Sequence, residues 1–74
     1  MGDFNYEILQ TYGVIDTSEK GWTTEVNLIS WNGNKPKIDI RTWSPDHQKM
    51  TKGITFHKDQ LQKLIQILGQ IGNQ

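Results

Sequence analysis

The chain contains no cysteine. Disulfide staples and thiolate metal sites are thereby excluded. Its two histidines, His47 and His57, stand ten residues apart with no cluster of partner ligands around either, so no metal and no cofactor is expected. No apolar run approaches the ~20 residues of a membrane span. The opening stretch, Met1 to Gln10, is acidic and amphipathic, which is not the pattern of an export signal. Gly2 is not followed by a Ser or Thr at position six, so myristoylation is unsupported. A cytoplasmic location is the expectation, at the nucleoid if the source is bacterial. Apolar residues are also scarce, at 34% of 74. A single domain this short buries only roughly 60% of its unfolded-chain surface. With disulfides and metal set aside, self-association is the remaining way to complete a small core.

Chemistry of the catalytic kind is equally thin. Asp39 and His47 can be drawn as an acid–base pair, and Ser30 or Ser44 as a nucleophile. No glycine elbow, metal triad or phosphate loop accompanies them. Asp39 reads better as the partner of a neighbouring base on one sheet face. The expectation is a protein that is not an enzyme and has no small-molecule substrate.

What is present is charge asymmetry and aromatic residues. The net charge is zero, but residues 1–19 hold Asp3, Glu7, Asp16 and Glu19 and no base. The following block, 20–52, holds Lys20, Lys35, Lys37, Arg41, Lys49 and Lys52 against Glu25, Asp39 and Asp46. Local potential, not the total, steers an anionic partner. Charge alone is also compatible with an ordinary solvated face.

The pattern of residues predicts four strands and a helix. Phe4 to Ile15 alternates with a bend or bulge at Gly13. Asp16 to Gly21 is turn chemistry. Trp22 to Asn32 is rich in Val, Thr, Ile and Trp, which suit a pleated surface. Asn32-Gly33 is a hairpin signal. Lys37 to Trp43 alternates again, with Ile38 and Ile40 on one side and Lys37, Asp39, Arg41 and Trp43 on the other. The Ser44–Lys52 loop leads to a short strand, Gly53 to Phe56. The period then changes. Leu61, Leu64, Ile65, Leu68 and Ile71 recur at helical spacing, and Ile67 widens the stripe to about 160° at 100° per residue. His57 falls at the N-cap position, Asp59 in the first turn and Gly72 at the stop. The fold class is α+β, ordered β-β-β-β-α. One helix covers one face of the sheet, and its excess apolar width calls for a second copy. The other face is expected to stay open, with the bases and some of Trp22, Trp31 and Trp43 on it. Aromatic rings interleaved with cations suit single-stranded nucleic acid, whose bases stack and whose phosphates follow the charge.

The run "IDIR" (Ile38 to Arg41), a loop with aromatic, Pro and acid, then "KGIT" (Lys52 to Thr55) ahead of a terminal amphipathic helix resembles the positive-cofactor-four family of single-stranded DNA-binding transcriptional coactivators, in particular its short bacterial, YdbC-like branch. The likeness spans about residues 21–70. It implies a homodimer whose helices, through Leu61, Leu64, Ile65, Ile67, Leu68 and Ile71, pack between curved sheets. It implies DNA held across the concave side with little sequence preference. Carried over by position, Trp31 matches the stacking aromatic, Arg41 the motif arginine, Lys52 the base before Gly-Ile, and Trp43 the tryptophan after the motif to within one residue. Lys35 and Lys37 fall in the basic hairpin and Lys49 in the basic loop; Trp22 belongs to the aromatic set on the residues alone. Strand two departs from the family: Thr23, Thr24 and Leu28 stand where bases occur, with Glu25 among them, which implies fewer phosphate contacts. Single-stranded RNA and a peptide or polymerase subunit remain alternative partners, since rings stack RNA bases equally well.

Overall fold

The computed structural model describes residues 5–73. Phe4, expected to begin the first strand, lies outside them. The order is β1 (Tyr6–Thr17), β2 (Thr23–Trp31), β3 (Lys37–Trp43), β4 (Ile54–Phe56) and α1 (Lys58–Gly72). The strands form one antiparallel meander, β1-β2-β3-β4. This is the expected α+β arrangement.

Local chemistry explains the joints. Asn32 and Gly33 both take positive φ, +53° and +74°, as the β2–β3 turn requires. The Asn34 N–H closes that turn on the Trp31 carbonyl at 2.9 Å, and Ser30 Oγ donates to the Asn34 carbonyl at 2.7 Å. The helix starts at His57, whose backbone N–H donates to Gln60 Oε1 at 3.1 Å, with Asp59 in the first turn. β1 runs two residues past the expected end, because Asp16 and Thr17 pair with Thr24 and Thr23. Three register slips interrupt its pairing with β2, one of them between Thr11 and Gly13. Each slip adds twist and bend to the strand.

Pairing fixes which side chains share a face. Thr23, Glu25, Asn27 and Ile29 stand opposite Trp43, Arg41, Asp39 and Lys37, and Tyr6 opposite Trp31. This odd-numbered face is concave. Trp31 and Thr23, the partner of Trp43, are eight residues apart, about 26 Å on a flat strand. Yet the Tyr6 ring lies 5.5 Å from both the Trp31 and the Trp43 rings. The sheet must curl around that side.

Here the expected distribution of core and open face is reversed. Among the described residues, the wholly buried side chains are Ile29, Trp43, Asn27 and Asp39, all on the odd face. The even face, with Leu28, Ile38 and Phe56, meets the first turns of α1 at Leu61 and is only partly covered. No residue of α1 is buried. Ile65, Ile67, Leu68 and Ile71 are more than half exposed, as are Tyr12, Val14 and Ile15 on β1. The Cα radius of gyration, 13.6 Å, exceeds the roughly 11 Å expected of a compact chain of this length. The single chain is an open sheet with an uncovered apolar side.

Candidate nucleic-acid interface

The concave face is built from three layers of contact. At its floor, Glu25 accepts from Thr23 Oγ1 at 2.6 Å and from Asn27 Nδ2 at 3.2 Å, and pairs with His47 Nε2 at 2.8 Å. Burial pushes the Glu25 carboxyl up, but the hydrogen bonds from Thr23, His47 and Asn27 and the nearby imidazole outweigh it, so its pKa lies below the ordinary value. Beside it, Asp39 accepts two bonds from Arg41, from Nε and Nη2, both at 2.7 Å. The predicted pairing of Asp39 with a neighbouring base is therefore present, in the bidentate form only arginine can make.

The second layer is aromatic. The Arg41 guanidinium lies over the Trp31 ring, 4.5 Å from its centroid. Tyr6 tilts against Trp31 at 45°. The His47 imidazole stacks on Trp43 with centroids 4.8 Å apart and planes 9° from parallel. The third layer is the Ser44–Gly53 loop, folded back onto the sheet. Ser44 Oγ donates to Asp46 Oδ1 at 2.7 Å, and the Gln48 N–H to the same oxygen at 3.0 Å. The Ser44 bond foremost holds the Asp46 carboxyl below its ordinary pKa. Trp43 bridges to Met50, and Arg41 Nη1 reaches the Met50 sulfur at 3.3 Å.

The expected site residues separate into three groups. Trp31 is half-buried at the rim, and Lys35, Lys37, Lys49 and Lys52 are exposed on the hairpin and the loop. Arg41 is in the face but already engaged, with its side chain 13% exposed. Trp43 is 0% exposed, so the ring expected to be open is closed beneath His47. Trp22, half-buried, sits at the β1–β2 turn, where its backbone N–H donates to Ser18 Oγ at 3.0 Å, at the far end of β2 from Trp31. Tyr6 and Met50 were missed by sequence reasoning, and Glu25 and His47 were noted there without being placed in the site. For Tyr6 the alternation of β1 was a usable signal. For His47 there was none, because its approach depends on a left-handed backbone, φ +59°, inside the loop.

The architecture is a curved antiparallel sheet with aromatic and basic side chains on its concave side and a terminal amphipathic helix. Comparison with known proteins gives the family. The model described as Transcriptional Coactivator p15 (PC4) matches residues 18–67, and the chain belongs to that family. It is a family of coactivators that bind single-stranded nucleic acid. An uncharacterized protein of Treponema pallidum (strain Nichols) is 44% identical over 69 residues, covering 93% of this chain and 81% of the relative. Among the described residues, no helix is long and apolar enough to cross a membrane, and no group of three or more metal-ligating side chains is present.

Proposed function

We propose that this chain binds single-stranded DNA, with little sequence preference, along the rim of its concave face. The observation that carries the reading is the half-buried Trp31 ring, backed by Arg41 and flanked by the exposed Lys35 and Lys37 of the adjoining hairpin. Bases of a single strand stack on Trp31, and Lys35, Lys37, Lys49 and Lys52 follow the phosphates. Trp43 and Arg41 are spent within the face and act as its framework. Trp22 extends the aromatic surface at the far end of the sheet. The role is in transcription or another process that exposes single strands.

The binding unit is a homodimer. The uncovered sides of α1 and β1 share the chemistry of a core, and a second copy of the same surface covers them. Leu61, Leu64, Ile65, Ile67, Leu68 and Ile71 form the helical part of that contact.

Titration with oligo-dT, oligo-U and a duplex of equal length tests the reading. Oligo-dT should bind more tightly than duplex, whose stacked bases leave the ring nothing to stack on. Oligo-U binding equal to or tighter than oligo-dT would make RNA the ligand. Equal binding of all three would reduce the site to unspecific charge. Binding of none would leave a peptide as the partner.

A further inference from the structure

Arg41 is the cation that lies deepest in the concave face, and its surroundings leave it little freedom. Asp39, itself 0% exposed, takes Nε and Nη2 in a two-point grip. Nη1 points to the Met50 sulfur and, at 3.4 Å, the Thr51 carbonyl. Gly53 passes so close that a Cβ there would meet the Arg41 side chain and, at 2.6 Å, the Ile40 carbonyl. The remaining direction is taken by the Trp31 ring. Arg41 and Asp39 are neutral as a pair, so the guanidinium's positive charge is already matched by the buried carboxylate and little of it is left for a phosphate. The guanidinium does offer a flat, rigid surface.

We propose that Asp39 is a positioning residue for base stacking: it holds the Arg41 guanidinium over Trp31, matches its charge, and so assigns Arg41 to supporting the ring and not to binding phosphate. The inference rests on the reading that Trp31 stacks a base. The physical logic is preorganisation. An indole at a sheet rim loses ring freedom when a base lands on it, and a plate already seated against its other contacts removes part of that cost. The arrangement needs arginine, because an ammonium cannot be gripped at two points and cannot lie flat.

The experiment is oligo-dT affinity as a function of salt for the parent and three variants, with folding checked by circular dichroism. Each phosphate contact on a single strand contributes roughly −0.7 to the slope of log K against log salt. The double variant Asp39→Asn with Arg41→Gln keeps the net charge and removes the pair. It should bind roughly two- to fivefold more weakly, a part of the ordering cost of one side chain, with the parent slope. A slope shallower by roughly 0.7 would make Arg41 a phosphate ligand and overturn the proposal. Arg41→Lys keeps the charge on a less buried side chain and needs no new buried amide. It should show the same two- to fivefold loss at the parent slope, because a lysine cannot be seated against the ring at two points, and parent affinity would overturn the proposal. Asp39→Asn alone frees the charge and should steepen the slope by roughly 0.7; an unchanged slope would count against the charge-cancelling role. Trp31→Ala separates the two levels. If Trp31→Ala binds like the parent, the stacking reading itself fails. If Trp31→Ala loses binding while the pair variants do not, only the role of Asp39 fails.

Discussion

Glu25 is the residue at which the loop, the sheet and the electrostatics of the concave face meet. It is nearly buried, yet three donors surround it and its pKa is held below the ordinary value of 4.5. A carboxyl whose folded pKa is depressed adds stability that is fully present above its unfolded pKa and is lost as pH falls through the folded one. The loss therefore belongs below about pH 4.5, not near neutrality. Thermal unfolding followed from about pH 6 down to about pH 3 should show it, and Glu25→Gln should flatten that part of the curve. An equally steep fall in the variant would place the acid sensitivity elsewhere. Gly53 gives a second expectation. The space beside it is filled by the Arg41 side chain and the Ile40 carbonyl, which cannot both yield. Gly53→Ala should cost about 1–3 kcal/mol in chemical denaturation, the usual range for overpacking. A neutral result would mean that β4 shifts freely along β3.

Among the elements, those with a strong period were legible. β2, β3, the Asn32-Gly33 turn and α1 fall within a residue or two of their expected bounds, because alternation and the 3.6 repeat are written into each segment. The far end of β1 was not, since Asp16 and Thr17 carry turn chemistry and are drawn into the strand by partners on β2. Nor was the choice of closed face. Alternation on β3 separates Ile38 and Ile40 from Asp39, Arg41 and Trp43, but it does not say which set is covered. The polar set closes because Asp39 and Arg41 neutralise each other and the β1 slips curl the sheet over them. A bulge pattern of that kind has only Gly13 as a mark in the sequence. The helix yields the sharpest test at this scale. Leu68 is 52% exposed in the single chain, so a charge there would change an isolated protomer by less than about 0.5 kcal/mol. In a helix-to-helix interface the same charge is desolvated without a partner. Leu68→Lys should therefore dissociate the proposed dimer in sedimentation at low micromolar concentration and lower its thermal midpoint. A variant as stable and as large as the parent would remove α1 from the contact.

At the scale of the whole molecule, net charge zero hides a division of labour. The block 20–52 is positive by sequence, yet within the described face Arg41 is taken by Asp39, and Glu25 pairs with His47. The cations left at the surface of the hairpin and loop are Lys35, Lys37, Lys49 and Lys52. With Thr23, Thr24 and Leu28 on β2, no further positive side chain lines the middle of the sheet. Salt dependence should thus come chiefly from these four lysines, with a slope of roughly −3 per protomer if each meets one phosphate. Replacing Lys35 and Lys37 together by Gln should make the slope shallower by roughly 1.4 while leaving folding intact. Trp31→Ala should instead cost about 1–3 kcal/mol of oligo-dT affinity at nearly constant slope, because stacking releases no counterions. The two changes then move different axes of the same plot. If the lysine pair alters affinity without altering the slope, the strand does not pass over the hairpin, and the path along the rim next to Trp31 must be redrawn toward Lys49 and Lys52.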